Sequence, residues 1–507
     1  MHTRIGTRAF RYRAPTHAFF CPKDLDELQH MVSNRPERTL RLQREMTMTS
    51  SHSTWIPAAT AVAALGLACI APTSEAAGLK WVASWAQPMQ AAYVGPTAAQ
   101  GPAIPAYEPQ PNLTFALPNA TATNQTFRVI VKPDLWGQTV RIRLSNVFGT
   151  QPVTFTAASI ALQDYQANIV PGTSTSVTFG GVRSVEVPAG GSVFSDPVVL
   201  TFVNPVTIFS PPKPGGNLAV SFAVGGSSGP ASFHQDAFAT SYMSPPNSGD
   251  RTTAADDTAF PFSTTSSFFL SELDVAAPSN TIVVVAFGDS ITDGTFSTLN
   301  GNDRWLNVMS RQLHEQLGNT VSVVNAGIAG NAVLAQLQGP SAISRVSRDV
   351  IGLSGATVVV WLEGINDLGL LGATAAQVEG GYQLVVGNLR AAGIKVIGAT
   401  LTPSLAPGGV PPTNSPLAAE IGPLAANYAS TQTDAIRRQI NTFILTSGLY
   451  DGTADFATAA TDPNTGTLQA PFVPSSEGSA GDFLHPNRAG YQAIGPVAAN
   501  AVLALVK

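Results

Sequence analysis

The sequence predicts a β-rich module over residues 77–275 followed by an α/β domain with a parallel sheet over 281–507. Three observations carry this reading. From Trp81 to about Leu273, short apolar runs alternate with Gly, Pro and Asn turns, without a convincing amphipathic helix. From Thr281 onward the pattern becomes strand, helix, strand, with strands apolar almost throughout. Where the first of these strands ends, "TIVVVAFGDSITDG" presents Ser290 beside Asp289, with no helical pattern following at once.

Bulk composition agrees with two or three cores. The 507 residues are 44% hydrophobic, enough for more than one domain. Only 12% are charged, while Gly (45) and Pro (38) are plentiful, against roughly 25% charged residues in an average soluble protein. A surface kept soluble by Ser, Thr, Asn and Gln suits an exported protein. The apolar run from Trp55 to Pro72 leads to small residues at Ser74 and Ala76, the pattern of a signal peptide cleaved after Ala76. As a membrane anchor it falls short of the about 20 apolar residues a span needs. Cys69 raises a lipoprotein reading, which Gly66 opposes because a lipobox wants Leu there. Met31, Met46 and Met48 compete with Met1 as the true start, and Met31 supplies a basic segment through Arg35, Arg38, Arg41 and Arg44. Residues 1–76 are therefore read as an upstream extension plus signal peptide.

Cleavage removes nine of the 27 basic and six of the 32 acidic residues and leaves 431 residues with a net charge of −8. That charge argues against nucleic acid or anionic membrane as a partner. Cys21 and Cys69 are both lost, which excludes disulfides and thiol chemistry. The expected molecule is a secreted monomer that is not integral to a membrane.

In the first half, "TVRIRLSNVFG" sets Val140, Ile142 and Leu144 against Arg141, Arg143 and Ser145, the period of a half-buried strand. "TSVTFGG", "SVEVPAGGS", "DPVVLTFV" and "NLAVSFAVGG" continue in that style. Together they predict a β-sandwich or jelly-roll-like module. The second half places strands at "TIVVVAF", "TVSVVNA", "ATVVVWLEG" and "IKVIGATLTP". Between them, "RWLNVMSRQLHEQLG" aligns Leu306, Met309, Leu313 and Leu317 on one helical face, with Gly318 as its stop. Ligands of such a sheet bind at the carboxyl ends of its strands, which is where Ser290 falls.

A serine hydroxyl needs a base to remove its proton, and the base needs an orienting carboxylate. After cleavage only His234, His314 and His485 remain. His314 lies on the helix beside its apolar stripe and reads as a half-exposed helical histidine. His485, in "GDFLHPNRAGY", follows Asp482 by three residues and precedes a C-terminal helix that Pro486 can open. That spacing lets Asp482 reach one ring nitrogen while the other faces the serine.

"FGDSITDG", "VVNAGIAGN", "WLEGINDLG" and "GDFLHP" resemble, in order and spacing, the four blocks of the SGNH hydrolases, also called the GDSL lipase and esterase family. Ile291 stands where Leu is common. "WVASWAQP", "VRIRLSNVFG", "FSDP", "DRW" and "ATLTP" further resemble a secreted subgroup with a β-rich module in front. The resemblance implies a flavodoxin-like three-layer domain without a cofactor. It implies Ser290 as nucleophile, His485 as base with Asp482 behind it, and Ser290, Gly330 and Asn366 as oxyanion donors. Such donors must already point where the anion forms. A glycine at 330 offers its N–H without an obstructing side chain, and an amide at 366 donates without adding a base. Asp289 is expected to support the serine by bonding loop backbone. Each residue also has a plain structural reading: a turn cap, a positive φ, a loop tie, a helix cap.

"GGSSG" (Gly225–Gly229) matches the G-x-S-x-G nucleophile elbow, but that motif needs a strand-to-helix turn and this copy lies in the β-rich half. His234 and Asp236 sit too close to Ser227 for one short loop to align all three. No metal cluster, phosphate loop or repeat is visible. The expected activity is hydrolysis of carboxylic esters of a lipid, a short-chain alcohol or an acylated polysaccharide through an acyl-enzyme. The alternatives are acyl transfer with the same residues, or an inactive glycan-binding surface protein.

Overall fold

The computed structural model describes residues 78–91, 121–203, 216–412, 415, 417, 421–474 and 481–507. The stretch read as a signal peptide, the competing start sites and Cys69 lie outside the described residues.

The β-rich half is built from antiparallel strands. One sheet sets β1 (Leu79–Ala86) beside the last long strand of this half (Leu270–Pro278), which in turn pairs with Thr139–Ser145. In a second, Leu218–Pro230 lies between Thr121–Val131 and Val153–Leu162. In chain order these are β2 (Thr121–Val131), β3 (Thr139–Ser145), β4 (Val153–Leu162), β5 (Leu218–Pro230) and β6 (Leu270–Pro278). Along β3, Val140, Ile142 and Leu144 are buried while Arg141 and Arg143 are only partly so, as the alternation predicts. Ser145, expected on the polar side, is instead buried, and its N–H donates to the Phe269 carbonyl at 2.6 Å. Phe127, Phe155, Phe222 and Phe269 pack edge to face and stacked, with centroids 5.5–6.3 Å apart.

The junction between the halves is a turn. Ala276, Ala277 and Pro278 belong to β6 and pair with Trp81, Lys80 and Leu79 of β1. The Thr281 N–H donates to the Pro278 carbonyl at 2.9 Å, and the next strand starts at Ile282.

That strand, β7 (Ile282–Gly288), is the centre of a five-stranded parallel sheet. Its flanks are β8 (Val321–Gly327) and β9 (Ala356–Leu362), followed outward from β9 by β10 (Lys395–Ala399) and β11 (Gly452–Ala454). The order β8-β7-β9-β10-β11 is the flavodoxin-like one. The chain leaves β7 first to one side and then to the other, so a crevice opens at the carboxyl end of β7. Val283, Val284, Val285, Ala286 and Phe287 have no exposed surface, as a sheet covered on both faces requires.

The helices begin with one turn, α1 (Ser290–Asp293), capped by the Asp289 side chain. This turn has no sequence pattern because four residues are too few to show a period. Next come α2 (Trp305–Leu317), α3 (Ile365–Gly369), α4 (Ala375–Ala391), α5 (Thr431–Thr446) and α6 (Arg488–Val506). Pro486 does not open α6: Asn487 caps it by accepting from the Gly490 N–H at 3.1 Å. By length and composition α6 is apolar enough to cross a membrane. Its Tyr491, Ile494, Ala498, Ala499 and Val502 are buried, and it packs against α2.

The described residues of both halves belong to one compact unit, and most of their buried apolar side chains form one cluster that spans both halves, with a small second cluster around Ile130 and Ile169. The seam is also densely hydrogen-bonded. Ala83 N–H donates to the Ser354 carbonyl at 2.8 Å, Ser322 Oγ to the Ala83 carbonyl at 2.7 Å, and Val323 N–H to Asp134 at 2.6 Å.

Candidate active site

Ser290 is the first residue after the Asp289 cap at the end of β7. Asp289 Oδ1 accepts from the Ile291 N–H at 3.0 Å, which fixes the turn carrying the serine. Ser290 Oγ lies 2.8 Å from His485 Nε2, and His485 Nδ1 lies 2.6 Å from Asp482 Oδ2. Asp482 Oδ1 accepts from the Leu484 and His485 N–H groups, both at 2.9 Å. Its two oxygens therefore hold both the backbone and the ring of the histidine. A carboxylate on Nδ1 keeps the proton there and leaves Nε2 free to accept from the serine. Burial would raise the Asp482 carboxyl, but the His485 charge and ring bond and two backbone N–H groups outweigh it and hold it below the usual value. All three side chains are buried, with Ser290 and His485 showing 6% and 7% of their surface.

Gly330 follows β8 with φ +67°, a conformation that favours glycine. A Cβ there would meet the Gln338 side chain at 2.6 Å. Glycine is therefore needed for its φ and for Gln338 as well as for access. Asn366 does not end β9 but sits in the first turn of α3. Its Nδ2 donates to the Asn331 carbonyl at 2.7 Å, and its Oδ1 accepts from the Tyr428 hydroxyl at 2.8 Å. These bonds fix the orientation of the amide and leave one of its two N–H bonds unspent. The Ser290 and Gly330 amides donate to no acceptor among the described residues.

Behind the serine lies a group of buried acids. Burial and then the Glu363 charge push Asp289 up to about 7, and its Oδ2 has no partner among the described residues. Burial pushes Asp367 up to about 7 against the pull of the Val333 and Leu334 N–H groups, which it accepts at 2.8 and 3.0 Å. Those two bonds hold the segment that follows Gly330. Glu363 is raised by burial against the opposing Arg345 charge and the Trp361 bond.

A model of the GDSL-like lipase/acylhydrolase family matches residues 286–493. Residues 286–493 therefore form a domain of that type. Ester hydrolysis is the general activity that such a domain supports. Among solved structures, the aryl esterase of M. smegmatis is 16% identical, with 44% of this chain and 100% of that one covered at a TM-score of 0.34. A carbohydrate acetylesterase family member from Sinorhizobium meliloti is 17% identical over 45% and 99%, TM-score 0.32. A GDSL-like lipase from Bacteroides thetaiotaomicron is 16% identical over 45% and 88%, TM-score 0.30. No curated protein matches the chain.

Sequence reasoning missed several residues that shape this candidate site. Tyr428 orients Asn366. Arg345, buried over the Phe287 ring, donates to Asn331 Oδ1 at 2.7 Å and to the carbonyls of Ala326 and Gly288 at 2.7 and 2.8 Å. It thereby ties the ends of β7 and β8 to Asn331, next to Gly330. The Phe296 ring lies 5.9 Å from His485, and Tyr491 of α6 donates to the Thr295 carbonyl at 2.6 Å. None of these falls in a motif.

The GGSSG serine has no such setting. Ser227 is exposed on β5. His234 is buried and bonds Pro88 and Asp293 rather than that serine. His314 is half-exposed on α2 as expected, and Asp134 of the β-rich half sits 3.1 Å from its Nε2.

Proposed function

We propose that the protein is a secreted serine esterase that hydrolyses carboxylic esters through an acyl-enzyme. The observation that carries this reading is the continuous path from Ser290 Oγ through His485 to Asp482 at the carboxyl end of β7. His485 Nε2 takes the Ser290 proton as Oγ attacks the ester carbonyl carbon. The resulting oxyanion is held by the Ser290 and Gly330 N–H groups and by Asn366 Nδ2. Collapse breaks the ester C–O bond, and the leaving alkoxide takes the proton from His485. Water then attacks the acyl-serine, gives its proton to His485, and releases the acid with Ser290 restored. Asp482 does not change protonation; it fixes the tautomer and offsets the imidazolium charge. Export rests on the signal-peptide pattern from Trp55 to Ala76.

The test is hydrolysis of p-nitrophenyl esters of increasing chain length, run beside acetylated xylan, with Ser290→Ala as control. Turnover of at least one of these esters that vanishes in Ser290→Ala supports the reading; turnover that survives there sinks it. Recovery from culture medium of a chain starting at Ala77 tests export.

A further inference from the structure

His234 belongs to the β-rich half, in the short strand Ser232–His234 that pairs with Gln90–Ala91 and with Ser267–Phe268. It nevertheless reaches the turn that carries the nucleophile. Its Nδ1 lies 2.8 Å from the Pro88 carbonyl, and its Nε2 lies 3.1 Å from Asp293 Oδ1, the last residue of α1. A carbonyl can only accept, and so can an ionised carboxylate, so both ring nitrogens carry protons in this setting. Burial would depress the imidazole. The Asp293 charge and hydrogen bond, the Pro88 carbonyl and the Asp236 charge outweigh it and hold the ring above its ordinary value.

Asp293 has a second duty. Its Oδ2 accepts from the Ala329 N–H at 3.0 Å, one residue before Gly330. One carboxylate thus joins the helical turn that starts at Ser290 to the loop that offers the second oxyanion donor. The fit leaves little room: a Cβ at Gly327, the last residue of β8, would stand 2.3 Å from the Asp293 nitrogen. His234 and Asp293 show 1% and 2% of their surface, so water does not replace this bond. Arg304 adds a positive charge near Asp293 but spends an Nη on the Ala237 carbonyl, again in the β-rich half.

We propose that His234 is a positioning residue for ester hydrolysis: through Asp293 it sets the spacing between Ser290 and the Gly330 amide, so the β-rich half completes the active site. This rests on the serine-esterase reading above. A loop carrying one oxyanion donor that drifts relative to the nucleophile weakens binding of the transition state more than binding of the ester.

Two variants of the full protein separate positioning from folding. His234→Asn keeps an amide N–H near the Nδ1 position, facing Pro88, and offers nothing to Asp293. His234→Gln carries its amide near the Nε2 position, facing Asp293. On p-nitrophenyl acetate, His234→Asn is expected to lower kcat about tenfold or more with KM within about twofold. His234→Gln is expected to stay within about threefold of the parent although both variants melt at similar temperatures. Equal activity of the two variants and the parent overturns the proposal. So does a kcat loss that simply follows the fall in melting temperature. If neither variant folds, Asp293→Asn tests the same link from the other side: a kcat loss at unchanged KM supports it, and parental kcat overturns it. Activity that persists in Ser290→Ala removes the underlying reading. An inactive Ser290→Ala beside a fully active His234→Asn removes only this proposal.

Discussion

In the crevice at the end of β7, His485 has Asp482 on one ring nitrogen and the Ser290 hydroxyl on the other. Along the seam between the halves, His234 and His314 each have an aspartate on one nitrogen and a backbone carbonyl on the other, from Pro88 and Gly318. All three histidines are therefore paired with carboxylates, and the pairing does not separate chemistry from structure. The third partner does. A hydroxyl can give up its proton to a ring nitrogen, whereas a carbonyl forces that nitrogen to keep its own. In the proposed reaction the crevice histidine moves a proton, while the seam histidines hold theirs.

The largest expected effect is in the crevice. Ser290→Ala should lower kcat by at least about 10⁴-fold with the melting temperature nearly unchanged, because the attacking atom is lost and nothing packs on it alone. His485→Ala should be as severe, and Asp482→Asn milder, since the base remains. If His234→Ala or His314→Ala proved as damaging to kcat as His485→Ala, the contrast between crevice and seam would break. Next in size is Asn366→Ala, expected to cost about 10² to 10³ in kcat with KM nearly constant. A large rise in KM at unchanged kcat would make Asn366 a substrate-binding residue instead.

The seam should show itself in stability. A fragment from Pro278 to Lys507 loses β1 and most of β6, and with them the acceptors and donors at Ala83 and Asp134. It should be poorly soluble or melt well below the parent, and the parent should melt in one transition. A soluble, fully active fragment with the parental melting temperature would show the β-rich half to be a detachable accessory.

Protonation sharpens the comparison, because stability and activity should respond to pH with opposite signs. His314 is depressed by burial but raised on balance by the Asp134 bond and charge and by the Gly318 carbonyl, and His234 is likewise raised on balance. A raised histidine contributes stability that is full below its unfolded value near 6.5 and is lost as pH rises through the folded value. Asp289 and Asp367, pushed up to about 7, act in the same direction between their unfolded value near 4 and about 7. Asp482, held low, opposes them only in acid. The melting temperature should therefore fall from about pH 5 to pH 8, while kcat/KM rises as His485 becomes free to accept a proton. A melting temperature that climbs together with activity would contradict this account. The smallest effect belongs to Asp289→Asn. It keeps an oxygen for the Ile291 N–H, removes a buried charge, and should raise the melting temperature by about 2–4 °C at pH 8 and hardly at all at pH 5.

What the sequence made legible follows from where the signals are local. Continuous apolar strands and a 3.6-residue stripe on α2 marked the parallel sheet and its main helix. Ser290, Gly330, Asn366 and His485 lie in short blocks whose residue types chemistry restricts. The alternation in β3 marked the β-rich half in the same way. Tyr428 and Arg345 act through partners 14 to 62 positions away, and nothing in their neighbourhoods marks them. Asp293 lies inside the FGDSITDG block, but its partner His234 is 59 positions upstream. Ala276 to Pro278 are small residues or proline with weak strand preference, yet they pair with Trp81, Lys80 and Leu79 of β1. His314 is the half-exposed helical residue its stripe suggests, but its carboxylate partner Asp134 lies 180 positions upstream and left no local sign.

The central claim is that Ser290 is the group that takes the acyl chain. Treating the full protein with a fluorophosphonate, digesting it and locating the adduct by mass spectrometry tests this most directly. The account expects one adduct, on Ser290, formed at the rate at which esterase activity disappears and absent in Ser290→Ala. An adduct on Ser227, or ester turnover that continues after Ser290 is fully labelled, would contradict it.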